Sequence, residues 1–475
     1  MSSKSQSKDI LSEETVSRSA KLAFGGATFS SGILSGIGLG GALTYFYNVI
    51  FLLDERWVSL AFAIFIGWNA VNDPLFGFLE DKTKTRWGRR VPYLRFGAPI
   101  YAILFILIWF PFFPPDSDVA LFFNLLIILF VFDTIYTIIG LITYSLPAEM
   151  AISSRARSNL MVYGAISSSM AFLLTFILPD QLIVGEDSPP LPIFLITMII
   201  MGIICGIILF ASSYYIKEKK YTIMEESLTY KASLIETFKN KPFLIFEGSN
   251  FSWLIAQYIL INGLFYYLDY VLDLSGLMSL IPLVIFFAMV FSFTIVYSKL
   301  LNKYPLKKVF IFILLLTGGA FILHFFIGWN FSTAIIGMVL LGIGFSGYWV
   351  TNQLVIAEAI DYDEVRTGKR RETSYSGVNA LITKPAVSIG PMIFLSIISA
   401  FGFNNEVAQQ TESAQFGIML AFTIIPAIFI LISAAIISFF PLTGPEWREK
   451  KAKLEEKHRE KERNYLRMLK EKGKL

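Results

Sequence analysis

The sequence predicts an all-α membrane protein: twelve transmembrane helices in two pseudo-symmetric six-helix bundles. Three observations carry this reading: an apolar composition, an alternation of basic and acidic connections, and a weak internal repeat. Of 475 residues, 55% are hydrophobic and only 16% charged, and the mean hydropathy is +0.61. A water-soluble core of this size cannot hide that much apolar surface. The net charge of +4 points to no nucleic-acid partner, because its distribution along the chain matters more than its size. Cys205, the single cysteine, permits no internal disulfide and is expected to pack as a small hydrophobe.

Crossing about 30 Å of hydrocarbon takes roughly 20 apolar residues in a helix. Runs of that kind recur at 22–52, 57–80, 94–114, 119–146, 159–183 and 191–216, then at 244–272, 277–300, 308–328, 332–359, 376–401 and 415–441. They are too long and too uniformly apolar for barrel strands. The chain therefore divides into an N-terminal tail 1–21, a first bundle 22–216, a linker 217–243, a second bundle 244–441 and a charged tail 442–475. The first residues are polar and lack a short apolar core, so no removable signal peptide is expected.

Basic residues test the span count independently. They fall in the N-tail (Lys4, Lys8, Arg18, Lys21) and in every even connection: Lys82 to Arg95, Arg155 and Arg157, Lys217 to Lys241, Lys299 to Lys308, and Arg366 to Arg371. Odd connections hold Arg56 and otherwise acids such as Asp116, Glu186, Asp273 and Glu406. This asymmetry predicts a multi-pass protein of the cell membrane with both termini cytoplasmic. One basic residue, Lys384, is left deep inside the eleventh span.

The repeat supports a six-plus-six duplication. PAEM (Pro147 to Met150) followed by Arg155 and Arg157 is echoed by IAEA (Ile356 to Ala359) followed by Arg366 and Lys369. The basic hairpin Lys82 to Arg90 has a weaker counterpart at Lys299 to Lys308. The final stretch from Trp447 alternates Glu with Lys and Arg at helical spacing, as a solvated cytoplasmic helix or a membrane-surface helix does.

The chemistry gathers in WNAVNDPLFGFLEDKTKTRWGRR (Trp68 to Arg90). Asn69, Asn72, Asp73 and Phe76 share one helical face, and Pro74 cannot donate to the carbonyl of Ala70. That arrangement suits a proton or a small cation. The text DPLFGFLEDKTKTRWGRRVPYL (Asp73 to Leu94) resembles the span-two signature of the glycoside-pentoside-hexuronide cation symporters, the melibiose-permease-like branch of the major facilitator superfamily. Within it, Gly77, Asp81, Gly88, Arg89 and Arg90 match the superfamily's cytoplasmic gating motif. EAIDYDEVRTGKRRETSYSGVNALITKPA (Glu358 to Ala386) resembles the same family's link into span eleven, including its intramembrane lysine at Lys384.

The resemblance implies cation coupling at Asp73, Asn69 and Lys384. Where the family usually has a second aspartate that completes a sodium site, this chain has Asn69, which favours H⁺ over Na⁺. Gly32, Gly140 or Ile139, and Ala165 stand where the family's sugar-binding charges align. Tyr144 and Trp349 match family aromatics that face the sugar, although a core role is equally open to each. Asn352, Gln353, Asn379 and Thr383 are candidate cavity-lining residues, with interhelical hydrogen bonding as their plainer role. Asp133, in mid-span, must be protonated, paired or in a wet cavity, and is a further candidate substrate-binding residue. His324 reads as a packed histidine, and the glycines from Gly32 to Gly41 as a close-packing helix face rather than a phosphate loop.

No metal cluster, nucleophilic triad or nucleotide-binding cassette is visible, so the chain is not expected to be an enzyme or to need a cofactor. The expected function is secondary transport of a small-molecule solute, a sugar or glycoside, by alternating access of a monomer in contact with membrane lipid. A lysolipid or other amphiphile carrier is the alternative. A scaffold without transport activity would leave Asp73 and Lys384 without a reason.

Overall fold

The computed structural model describes residues 16–83, 85–151, 154–185, 188–218, 236–368 and 372–471. Its regular elements are helices: α1 (Arg18–Gly38), α2 (Gly41–Tyr45), α3 (Glu55–Lys82), α4 (Val91–Leu107), α5 (Asp118–Met150), α6 (Ser154–Ile183) and α7 (Leu191–Tyr215). There follow α8 (Lys241–Tyr266), α9 (Gly276–Lys303), α10 (Leu306–Ile327), α11 (Phe331–Thr367), α12 (Glu372–Thr383), α13 (Ala386–Ala400), α14 (Glu412–Met419), α15 (Ile425–Ile437) and α16 (Pro445–Glu471). Among the described residues, ten helical segments are long and apolar enough to cross a bilayer. Helices answer the bilayer's main demand, because each backbone polar group finds its partner inside its own segment.

Prolines reshape two of the expected runs. The run over 94–114 gives the shorter α4, since Pro111, Pro114 and Pro115 cannot continue a helix. The run over 376–401 splits into α12 and α13 at Lys384 and Pro385. The expected linker falls mostly on 219–235, outside the described residues.

Helices before the linker pack mainly on one another, α1 on α6 and α7, and α4 on α7, while α3 is shared between α5 and the second group. Those after it do likewise, α9 and α10 on α11, and α8 on α13 and α15. The two groups meet where α3 crosses α12 and α13, where α6 meets α9, and where α2 meets α8. Glycines permit the closest approaches: Gly36 faces Thr175, and Gly32 leaves only 3.0 Å between an added Cβ and Ala171. This is the packing role the glycine-rich first span was expected to play.

A local repeat accompanies this division. A π-helical turn at Phe46–Ile50 leads to Leu52 in the left-handed region, and about 220 residues later Tyr267–Val271 leads to Asp273 in the same region.

At the end nearest the odd connections the two groups are tied together. Thr44 donates to Asn262 at 2.7 Å, Tyr45 to Asp269 at 2.5 Å, and Tyr266 to Asn48 at 2.8 Å. Asn405 donates to the Asn48 carbonyl at 2.9 Å, and Ser279 to buried Asp180 at 2.6 Å. Gly41 sits so close to Ile261 that a Cβ there would overlap its carbonyl oxygen, which is backbone and cannot rotate away. Gly41→Val is therefore expected to cost about 1–3 kcal/mol and to open this end. Thermal unfolding, together with labelling of a cysteine placed at Val49 by an impermeant maleimide, checks this. Unchanged labelling would mean that the closure tolerates the added bulk.

Candidate functional site

Lys384 lies at the break between α12 and α13, where Pro385 interrupts the helical ladder. The Lys384 carbonyl, which takes the Val387 N–H at 3.0 Å, also accepts from Asn69 Nδ2 of α3 at 3.2 Å. The side chain crosses into the first group of helices. Its Nζ lies 2.6 Å from Thr137 Oγ1, 3.3 Å from Asn72 Oδ1 and 3.7 Å from Asp133 Oδ1. The Tyr136 ring lies 5.7 Å from the ammonium, adding a cation–π contact. Asn72 also donates to the Asp133 carboxylate, so one amide bridges both charges.

Burial makes this cluster consequential. The side chains of Asp133 and Lys384 are 2% and 13% exposed. A lone charge at such a depth is costly, whereas a hydrogen-bonded pair offsets much of the desolvation. Asn69 is buried as well, and its Oδ1 has no hydrogen-bond partner.

The expected site residues thus separate into groups. Asn69, Asp133 and Lys384 come together, with Asp133 as a charge partner of Lys384. The side chain of Asp73, its anticipated partner, lies outside the described residues, as do those of Gly77 and Asp81. Asn379 and Thr383 hydrogen-bond each other within α12 at 3.1 Å. Trp349 packs edge-on against Phe172 at 5.1 Å, beside the contact of α6 with α9. Near it on α11, Gln353 is exposed and Asn352 Oδ1 is buried without a partner. Tyr144 is 66% exposed, on the same face of α5 as Asp133 and Thr137.

In the gating segment, Gly88 takes a φ of 114°, a region favouring glycine. Arg89 Nη2 lies 2.5 Å and Arg90 Nε 3.3 Å from Glu149 Oε1, at the end of α5. The Glu218 carboxylate accepts from the backbone N–H groups of Arg89, Arg90 and Val91 at 2.8–2.9 Å. An acceptor at the start of α4 satisfies otherwise orphaned donors and complements the helix dipole.

Three contributors escaped sequence reasoning. Thr137 had a usable signal, since it follows Asp133 by one helical turn. Glu149 stood in the repeat without a role. Glu218 had no signal, because nothing local connects it to a helix starting at Val91. His324 is buried against Tyr267 and Phe422, with neither ring nitrogen hydrogen-bonded, as a packed histidine.

A buried ion pair joining two groups of membrane-crossing helices gives this chain a charged centre between its two helical groups. The sequence profile of the family described as MFS/sugar transport protein matches residues 24–444, and the chain belongs to that family. It is a transporter and not an enzyme. The glucuronide carrier protein homolog of Escherichia coli (strain K12) is 22% identical over 80% of this chain and 83% of its own length. The isoprimeverose transporter of Lactiplantibacillus pentosus is 24% identical over 88% and 87%. The crystal structure of a D-xylose-proton symporter superposes with a TM-score of 0.61 at 16% identity, covering 89% of this chain and 97% of that one. These relatives uphold the resemblance to the glycoside-pentoside-hexuronide symporters.

Removing either member of the Lys384–Asp133 pair should destabilise the protein by about 3–5 kcal/mol, and removing both should cost less than the sum. Thermal unfolding of Lys384→Ala, Asp133→Ala and the double variant measures the coupling. Strictly additive losses would show that the pair carries none.

Proposed function

We propose that this protein is a proton-coupled symporter of a sugar or glycoside in the cell membrane. Its twelve spans form two six-helix halves, with both termini cytoplasmic, that rock to give alternating access. The observation that carries the reading is the Lys384–Asp133–Asn72–Thr137 cluster, which joins the halves at the break in span eleven. The relatives named for glucuronide and isoprimeverose support the substrate class.

The closed end lies at the odd, acidic connections, which the charge bias assigns to the outside, so the conformation reads as outward-closed. Tyr144, about 16 Å along α5 from Asp133 on the same face, then lines the path toward the cytoplasm, with Gln353 opposite. Coupling follows from the charges. A proton arriving on the carboxylate that holds Lys384 removes its countercharge, and the ammonium becomes free to engage the solute or another acceptor. Asp133 is one such carboxylate, and Asp73, next to Asn72 in sequence, is a second candidate. Asn69 spends its amide donor on the Lys384 carbonyl, and the scarcity of charged oxygens favours H⁺ over Na⁺.

An amphiphile is the second reading. The gap between α6, α8, α9 and α11 is lined by apolar side chains alone, among them Phe172, Phe176, Phe287 and Phe345, but at about 20 Å³ it holds no lipid in this conformation. Uptake into proteoliposomes separates the two, with radiolabelled methyl-glucuronide, isoprimeverose, lactose and a lysophospholipid as the panel. Accumulation of a sugar is expected when the lumen is alkaline, with loss on adding a protonophore. Uptake that needs Na⁺ and ignores the protonophore would overturn the proton assignment. Uptake of the lysophospholipid alone would overturn the sugar assignment.

A further inference from the structure

The repeat pairs Glu149, in PAEM, with Glu358, in IAEA. Both sit toward the inner ends of long helices and both are largely buried, with side chains 4% and 14% exposed. In the first half, Glu149 is held by Arg89 and Arg90 of the hairpin between α3 and α4. The equivalent hairpin of the second half does not do this. Of its lysines, Lys299, Lys303 and Lys308 are exposed and Lys307 half-buried, and none makes an ion pair with a described residue. Glu358 is instead met by the C-terminal helix: Lys451 Nζ lies 2.5 Å from Oε1, and the Trp447 indole N–H donates to the same carboxylate.

The C-terminal helix is anchored as well as charged. Trp447 and Leu454 are each 7% exposed, and the Trp447 ring lies 6.0 Å from that of Tyr362 on α11. One turn beyond Leu454, His458 Nε2 is 2.7 Å from Glu364, whose side chain is 2% exposed. The outward face of α16 carries the pairs Glu446–Lys450 and Glu449–Lys453, which stabilise the helix itself. Because α16 follows α15 after a short connection, docking on α11 ties the exit of span twelve to the inner end of span ten.

We propose that α16 is the inner-end clamp of the second half, in which Lys451 and Trp447 act on Glu358 as Arg89 and Arg90 act on Glu149. The weak second hairpin and the charged tail then explain each other. A carboxylate this buried requires a donor set, and the chain supplies it from its own terminus. Lys451, Trp447 and Glu358 are positioning residues: they keep spans ten and twelve moving as one body, and touch no solute.

The test reads conformation, so it stands whether or not the sugar panel succeeds. Nitroxides at Lys453 and Ser298 report docking of α16, and nitroxides at Tyr215 and Ser298 report the inner mouth, by double electron–electron resonance in proteoliposomes. A single narrow Lys453–Ser298 distance is expected for the native pair. Glu358→Lys, or Lys451→Glu if the first variant fails to express, should broaden it and shift the Tyr215–Ser298 distribution. Glu358→Lys combined with Lys451→Glu should restore both distributions. An inner-mouth distribution unmoved by release of α16 would overturn the proposal, and so would a double exchange that fails to restore docking.

Discussion

Everything about this structure turns on one ammonium held between two groups of helices that otherwise pack mainly on themselves. Lys384 belongs to the later group, and the Asn72, Asp133 and Thr137 side chains around it belong to the earlier one. In lipid, neither charge can be left alone without a cost of several kcal/mol. The pair therefore ties the two groups of helices together through a charged contact, where an apolar one would carry no such cost if either partner were lost.

The backbone around Lys384 is shaped for this task. Pro385 stops the helix at the point where the ammonium must leave it, and Asn69 fastens the Lys384 carbonyl to α3. The break is thus pinned from the opposite half by backbone and side chain alike. A lysine on an intact helix would project from one face only. Here the main chain and the ammonium reach two different neighbours on α3, Asn69 and Asn72.

The two ends of the molecule are built on different physics. The end at the odd connections closes through neutral and singly charged hydrogen bonds among Thr44, Tyr45, Asn48, Asn262 and Tyr266, backed by glycine contacts. The other end relies on full ion pairs and anchored carboxylates at Glu149, Glu218, Glu358 and Glu364. Hydrogen bonds between aromatic hydroxyls and amides break and re-form at small cost. Buried carboxylates with dedicated donors resist separation, which holds the elements they join together.

The sequence by itself determined that the chain crosses a membrane as helices, because hydrocarbon leaves the backbone no other economical partner. It also singled out Lys384, Asn69 and Asp133, since an ionisable or amide group inside an apolar run is rare enough to need a reason. The family was legible in Asp73 to Leu94 and Glu358 to Ala386, where local order and spacing are themselves the signal. Partnership was not legible. Whether Lys384 reached Asp133, whether Tyr144 was core or open surface, and which residue held Glu358 all depend on how separate helices pack. Helical periodicity places a residue on a face, and says nothing of the helix opposite. Only the tertiary structure brought Asn72, Asp133 and Thr137 around one ammonium, and laid the C-terminal helix across Glu358, because residues far apart in the chain meet through packing that no local pattern encodes.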